Sequence, residues 1–288
     1  MEKYVDMHCH SLYSDGDYSV DELIELAKKN DVDFFSITDH DNIDSTKDII
    51  RRKSDRKIEL INGIELSTVY VHNGQEKYIH LLGYDFDPNN RDLLQELKRM
   101  REVLLYNNRS FMERILENDI CLPISVTDEV DYSNYRLIQK QIEIILRKHN
   151  YSEKFIRDFL ERTKRFIPNY EDYEVNIYRA IEIILNSGGV PVLAHPNRIK
   201  LNDDELEKLI KKLASFGLQG LETSYSHFSQ EEFTKYSNQA KKYNLLESVG
   251  SDFHFPTLSK NVIIGSGIND NLLKTDCSLK QFILERRS

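Results

Sequence analysis

A chain of 288 residues, 40% of them hydrophobic, can bury a sizeable core as one large domain or two small ones. Charged residues make up 30% and the formal net charge is −9; this argues against binding duplex DNA through general surface charge but leaves an anionic substrate open, because bound metal ions reverse the sign locally. The three cysteines, Cys9, Cys121 and Cys277, are odd in number and scattered, the start carries no signal-peptide pattern, and no apolar run approaches the ~20 residues of a membrane span, so the expectation is a cytoplasmic protein without disulfides or a membrane partner.

Short β-rich runs alternate with helical patterns. Residues 4–8 read as a strand and 20–29 as a helix, with Ser19 at the N-cap and Glu22 at capping-box spacing. A strand is expected over 33–38, a polar helix over 43–53, a strand over 58–66, and another over 77–84 reached through the turn at Asn73-Gly74. Between residues 86 and 176 no strand is expected. There Leu93, Leu97, Met100, Leu104, Phe111 and Ile115 recur at helical spacing and predict a long helix over 92–117. Further helices are expected over 135–148 and 153–165. Alternation then resumes with a helix over 175–186 stopped by Gly188-Gly189, a strand over 190–194, a helix over 203–215 ended by Gly217, and a strand over 218–222. A helix over 230–243, a strand over 245–250, a β piece over 262–265 and a short C-terminal helix complete the chain.

Strand–helix alternation with hydrophobic strands argues for an α/β fold, a parallel sheet covered by helices. Seven main strands over about two hundred residues suggest a (β/α) barrel, whose chemistry sits at the C-terminal strand ends. The candidate ligands fall there. His8 and His10 end the first strand, His40 follows the second, Glu65 is on the third and His80 on the fourth; His195 ends the fifth, and Asp252 and His254 follow the seventh. Residues 1–85 and 177–288 then form one discontinuous barrel domain, and 86–176 an all-helical insertion over its mouth.

Imidazole and carboxylate in this density point to a polynuclear metal site. His8 and His10, two apart on a strand, point the same way, and Cys9 points into packing. Asp15 lies in Ser14-Asp15-Gly16-Asp17, a turn that would swing it back toward the histidines. Asp39-His40 reads either as a helix cap or as a ligand, His40, oriented by Asp39. Glu65, inside an apolar strand, needs a partner to offset its burial, and a metal is the obvious one, with the carboxylate placed to bridge two ions. His80 reads as a satisfied core histidine or, in this company, a ligand. Pro196 ends the strand just past His195, and Asp252 and His254 repeat the two-apart spacing of the start.

His8-x-His10-x4-Asp15, Thr38-Asp39-His40, Gly63-Ile64-Glu65, His195-Pro196 and Ser251-Asp252-x-His254 resemble, in order, the motifs of the PHP family, named for polymerase and histidinol phosphatase. The resemblance covers about residues 1–85 and 177–275. It implies a distorted (β/α)7 TIM-like barrel holding two or three divalent ions. Gly83, Asp87-Pro88, the helical insertion and Ala194-His195-Pro196-x-Arg198 resemble one branch more closely, small bacterial metal-dependent phosphoesterases acting on nucleotides or short oligonucleotides. By that analogy His8, His10, Glu65 and Asp252 surround one ion, Glu65, His80 and His195 a second, and Asp15, His40 and His254 a third. Around Tyr135-Arg136-Leu137 and Pro168 the insertion departs from that branch's Gly/His/Arg-rich pattern.

Nine ligands shared among three ions leave coordination positions open, the mark of a catalytic site. A divalent ion lowers the pKa of bound water from 15.7 toward ~7. Three such ions against Asp15, Glu65 and Asp252 leave the pocket about three charges positive, which suits a phosphate dianion plus hydroxide better than a neutral amide. The expectation is therefore a phosphoesterase acting on a nucleotide, short oligonucleotide or similar small phosphorylated metabolite. Zinc, manganese or iron suits the mixed ligands, with magnesium as a further candidate. Asp15, His195, His227 and Arg198 are the candidates for direct catalytic work. Arg198, at the rim, reads as a phosphate clamp or a solvated loop residue. Arg101 and Arg109 read as substrate contacts, by resemblance, or as an exposed helix face interrupted by Asn107 and Asn108. His227, past the sixth strand, reads as a proton donor and phosphate contact or an ordinary loop histidine, and Glu222 as a support at the strand end. The alternatives are a histidinol-phosphatase-like sugar or amino-alcohol phosphatase and an amidohydrolase-type enzyme. The latter often bridges its metals with a carboxylated strand lysine, where this chain has Glu65. A non-catalytic metal module would be expected to have lost ligands, and none of the nine is lost.

Overall fold

Phe34 and Phe35 are neighbours in sequence and part company in space. Phe34 packs with Val5, Ile61, Leu82 and Val192, whereas Phe35 packs with Leu23, Ile24 and Ala27. Side chains alternate along a strand, so consecutive apolar residues demand apolar matter on both faces, a filled interior and a helical coat. The computed structural model of the chain describes residues 3–52, 57–120, 122–131, 138–167, 173–254 and 261–288. Lys53, Cys121, residues 135–137 and Pro168, all used in the sequence reading, lie outside the described residues.

In chain order the elements begin β1 (Tyr4–Asp6), α1 (Val20–Lys29), β2 (Val32–Ile37), α2 (Asp44–Arg51), β3 (Glu59–His72), β4 (Gln75–Tyr84) and α3 (Arg91–Glu117). They continue with α4 (Ile124–Thr127), α5 (Ile138–Lys148), α6 (Glu153–Thr163), β5 (Val175–Asn176), α7 (Ile177–Asn186) and β6 (Val190–Leu193). The last are α8 (Asp203–Phe216), β7 (Gly220–Tyr225), α9 (Gln230–Lys242), β8 (Leu246–Gly250) and α10 (Ser278–Arg287). The local signals act where they were expected: the Ser19–Glu22 capping box opens α1, and Gly217, at φ +129, ends α8.

The chain separates into two compact units, residues 1–96 with 175–288, and residues 97–174. The first holds the sheet, in the order β1-β2-β3-β4-β6-β7-β8 with β5 added to β3. Met7 N–H donates to the Val249 carbonyl (2.9 Å), bringing the first strand to the last and nearly closing a seven-strand barrel. Leu279 and Ile283 of α10 pack into the interior apolar cluster.

Three expectations need correction. The sheet is not wholly parallel, because β4 runs antiparallel to both β3 and β6; Asn73-Gly74 folds β3 and β4 into one long hairpin that overruns the predicted strand by six residues at its Leu66 end. The stretch 86–176 is not all helical, since Val175 and Asn176 pair with Thr68 and Val69 and the helix starts only at Ile177. The β piece at 262–265 reduces to an isolated bridge between Ile263 and Gly267.

The second unit carries its own core of Phe111, Met112, Ile115, Ile142, Leu146 and Phe159. Asn107 and Asn108 are buried there, and Asn108 Oδ1 accepts from the Ile138 N–H (3.1 Å) at the start of α5. Arg101 is half-buried and Arg109 exposed on α3. Among the described residues no helix is long and apolar enough to cross a membrane.

Candidate metal centre

Two backbone bridges build the cup at the barrel mouth. Cys9 pairs in parallel with Phe253, and both side chains join the apolar cluster under α1. Alternation then turns the residues on either side of each, His8 and His10, Asp252 and His254, to the opposite face. Asp252 N–H donates to the His8 carbonyl (2.7 Å) and His10 N–H to that of Phe253 (2.9 Å), which fixes the register. The second bridge sets His40 beside Glu65. The Ser14–Asp17 turn folds back tightly: a Cβ on Gly16 would lie 2.0 Å from the His10 carbonyl oxygen, so only glycine lets Asp15 approach. His195 at φ 22° and Asp252 at φ 55° occupy left-handed backbone that side chains rarely adopt, strain of the sort held at functional sites.

Glu65 is the pivot. Its Oε2 is faced by His8 Nε2 (3.2 Å), His10 Nε2 (3.2 Å) and His40 Nδ1 (3.3 Å). Its Oε1 meets His80 Nδ1 (2.8 Å) and His195 Nε2 (2.9 Å). Asp252 Oδ1 lies 3.4 Å from His8, 3.2 Å from His10 and 3.5 Å from His254. Asp15 approaches His10 (3.5 Å), His254 (3.2 Å) and His40 (3.9 Å). All nine expected ligands thus share one cup. Six of their buried atoms make no well-formed hydrogen bond: His8 Nε2, both nitrogens of His10, Asp15 Oδ1, His40 Nδ1 and Glu65 Oε2. Burying so many lone pairs against one another is costly unless cations satisfy them, and imidazole with carboxylate is the donor set of a transition metal. Ligand atoms within 4.8 Å of one another form three sets: His8, His10, Glu65 and Asp252; His10, Asp15, His40 and His254; and His40, Glu65 and His80. The third set contains His40 where the analogy had His195, whose ring stands T-shaped to His80 at 5.1 Å and reaches the same carboxylate oxygen.

Burial alone would raise Glu65, Asp252 and Asp15, but the crowding imidazoles hold all three below the ordinary carboxylate range. Burial opposes a charge on His10, yet Asp252, Glu65 and Asp15 outweigh it and push its pKa up to about 10. His40 goes the other way, pulled down to about 3 by burial that Glu65 and Asp15 only partly offset. An ion held by His10 would therefore have to expel its proton. That proton is bound without metal and gone with it, so affinity should climb as pH rises from 6.5 toward about 10. Zinc added to lightly buffered metal-free protein in that window should acidify the solution; an affinity flat across it would show that no proton leaves His10 on metal binding.

Residues outside the expected set hold the cup in shape. Glu222 was expected at a strand end, but β7 runs on to Tyr225 and leaves it mid-strand and fully buried. Its Oε1 meets His8 Nδ1 (2.9 Å) and its Oε2 accepts from the His195 N–H (2.7 Å), fixing two ligands at once. Asp6, overlooked in the sequence, accepts from the Ser251 (2.9 Å), His8 (3.3 Å) and Gly265 (2.8 Å) N–H groups. A buried carboxylate at the end of a strand is the signal it offered. Asp39 does not orient His40 but accepts from Ser11 (N–H and hydroxyl, both 2.8 Å) and the Ser14 hydroxyl (2.6 Å), holding the Asp15 loop. Arg198 reaches Asp252 Oδ2 with Nη1 (3.2 Å) from the turn after His195. His227 is exposed, its ring 5.4 Å from that of Tyr225, and partial burial together with Arg198 lowers its pKa. His72 pairs with Glu205 (3.1 Å) and His149 with Glu129 (2.7 Å).

The profile of the PHP domain family matches residues 6–222. The chain is 31% identical over 261 residues to a 5'-3' exoribonuclease of Haemophilus influenzae, spanning 89% of this chain and 92% of the relative. It is 26% identical over 259 residues to a 3',5'-nucleoside bisphosphate phosphatase of Chromobacterium violaceum, spanning 88% and 87%. A solved structure described as an amidohydrolase from Chromobacterium violaceum, with bound sulfate and no metal, matches with a TM-score of 0.73 at 24% identity, over 91% of this chain and 90% of its own. That last likeness is one of fold.

Proposed function

The chain belongs to the PHP domain family and is a metal-dependent phosphoric ester hydrolase; we propose that its substrate is a phosphate ester of a nucleotide or short oligonucleotide, cleaved with two or three divalent ions in the cup. The observation that carries the metal reading is Glu65, whose two oxygens face five imidazoles while six buried ligand atoms around them lack proper hydrogen bonds. Zinc, manganese or iron suits this donor set, and magnesium suits it less. The substrate class is supported by the two relatives, whose names share a nucleotide phosphate ester.

Bound ions would supply a hydroxide near neutral pH and offset charge on the phosphate oxygens. The protein's own groups do the rest. His8, His10, Glu65 and Asp252 would hold one ion; Asp15, His40 and His254, with His10 nearby, another; Glu65 with His80 and His40 or His195 a third. Asp15 closes the cup at its loop side and His195 at its strand side. Arg198, half-exposed at the rim, presents a guanidinium fork to phosphate oxygens. His227, exposed and with a lowered pKa, is neutral near pH 7 and suited to handle a leaving-group proton. Arg101 and Arg109 are the helical unit's candidates for further substrate phosphates. The amidohydrolase alternative is disfavoured because Glu65 stands where that class often carries a bridging lysine. Among the described residues Cys9 and Cys277 are free thiols.

The test is to load the protein with manganese or zinc and assay nucleotide, oligonucleotide and sugar phosphates. Ester cleavage, followed as phosphate release from monoesters and mononucleotide release from oligonucleotides, should appear only with metal, and nucleotide substrates should be preferred. Release undiminished by a chelator would overturn the metal reading, and a preference for sugar phosphates the substrate reading.

A further inference from the structure

Asp252 divides its two carboxylate oxygens between different tasks. Oδ1 faces His8, His10 and His254 inside the cup. Oδ2 turns outward, accepts the Tyr225 hydroxyl (3.0 Å) and pairs with Arg198 Nη1 (3.2 Å). Tyr225 is fully buried at the end of β7, its ring against Phe228 (5.2 Å) and His195 (5.6 Å). The Arg198 guanidinium lies over that ring, 5.2 Å from its centroid. One rigid side chain therefore touches both partners, the carboxylate through its hydroxyl and the guanidinium through its face.

We propose that Tyr225 is a positioning residue that couples the ligand Asp252 to the phosphate-binding Arg198. The hydroxyl steers the carboxylate so that Oδ1, and not Oδ2, is offered to the cup. A hydroxyl bond alone is a modest restraint, but it falls on Asp252 at φ 55°, rarely populated backbone that persists only where surrounding contacts hold it. The ring meanwhile supports a half-exposed arginine that would otherwise sweep through many rotamers, and cation–π contact keeps its fork at the rim. Arg198 and Asp252 are thereby set relative to each other by a group that itself meets neither ion nor phosphate. This inference rests on the phosphoesterase reading of the cup, and its readouts are chosen so that neither requires turnover.

The hydroxyl and the ring can be removed separately. Tyr225→Phe keeps the ring; Tyr225→Leu removes both. Manganese retention against a chelator and affinity for inorganic phosphate are measured on the manganese-loaded full chain, with Arg198→Ala and the Arg198→Ala/Tyr225→Leu double variant alongside. Tyr225→Phe should lose manganese at about tenfold lower chelator, the scale of a group supporting a metal ligand, with phosphate affinity nearly unchanged. Tyr225→Leu should also weaken phosphate binding about as much as Arg198→Ala, and the double variant no further, because coupled residues are not additive. Manganese retention by Tyr225→Phe equal to that of the parent overturns the steering role, and phosphate losses that multiply in the double variant overturn the link to Arg198. Should the leucine variant not fold, the phenylalanine variant decides the steering role on manganese alone, and Tyr225→Met, which fills the site without an aromatic face, takes the place of leucine in the phosphate comparison with Arg198→Ala, where losses that multiply again overturn the link. A parent protein that binds manganese and phosphate yet hydrolyses no ester would fail the functional reading without touching this one.

Discussion

Replacing Glu65 with glutamine is expected to lower kcat/KM by about 10^4-fold or more on whichever phosphate ester the enzyme prefers, with metal content falling in parallel. The size follows from what bound metal supplies: lowering the pKa of water from 15.7 to ~7 raises hydroxide at neutral pH by roughly eight decades, of which weaker nucleophilicity returns about half. Glutamine matches glutamate in volume, so packing is preserved and the loss is one of charge and lone pairs. Both oxygens of Glu65 are engaged, Oε2 by three imidazoles and Oε1 by two, and an amide nitrogen in either place has no lone pair to offer an ion. The carboxylate also contributes to holding His8 above its ordinary pKa, where burial alone would lower it; with that charge removed, the unmetallated cup loses much of its internal neutralisation. Elemental analysis and steady-state kinetics on the same preparation check this. A variant that keeps its ions and stays within tenfold of the parent would show that Glu65 is not the pivot.

Gly250→Ala should lower the rate about a hundredfold and stability by about 1–3 kcal/mol, although no functional group is altered. A Cβ at this position would stand 2.2 Å from the His8 Cβ and 2.6 Å from Glu222 Oε1. Neither neighbour can retreat. His8 is held between Glu222 and Glu65, and Glu222 is anchored to the His195 backbone. The strand must shift instead, and Asp252 shifts with it. At about 2–4 °C per kcal/mol for a protein of this size, melting should fall by roughly 2–12 °C. Gly74→Ala is the matched control: at φ +74° with nothing within 4 Å, it should cost about 1 kcal/mol and leave the rate alone. Equal rates in the two variants would mean that the close approach at Gly250 does not set the cup.

The parts of this fold that were legible in the sequence are those whose signals are local. Ser19 and Glu22 sit three apart and mark the start of α1 to the residue. His8, His10, Asp252 and His254 were recognisable because two-residue spacing on extended chain puts side chains on one face. The same alternation could have corrected the reading of Asp39: as the immediate neighbour of His40 it must point away from it, and it does, toward Ser11 and Ser14. What was not legible depends on pairing between distant segments. The direction of β4 is set by its partners β3 and β6, although Asn73-Gly74 carried the hairpin signal. The two residues of β5 pair with β3 in the midst of a helical pattern, and no periodicity extends over so short a run. Glu222 matters through His8 and His195, which follow β1 and β6, and Tyr225 through Asp252 in the loop after β8; the order of residues along β7 discloses none of them.

Asp6 holds Ser251 across 245 residues of chain, and the cup exists only where these ends meet. During synthesis the first two histidines emerge long before Asp252 and His254, so the ion sets that include those two cannot be completed until the last strand has left the ribosome. Contacts of such sequence separation form late, after the entropy of closing the long loop has been met. Cations arriving then cannot hasten the search for the fold; they act on the finished barrel as rivets across its seam, slowing its reopening. Metal supply should accordingly govern how long the protein survives in the cell more than how quickly it matures.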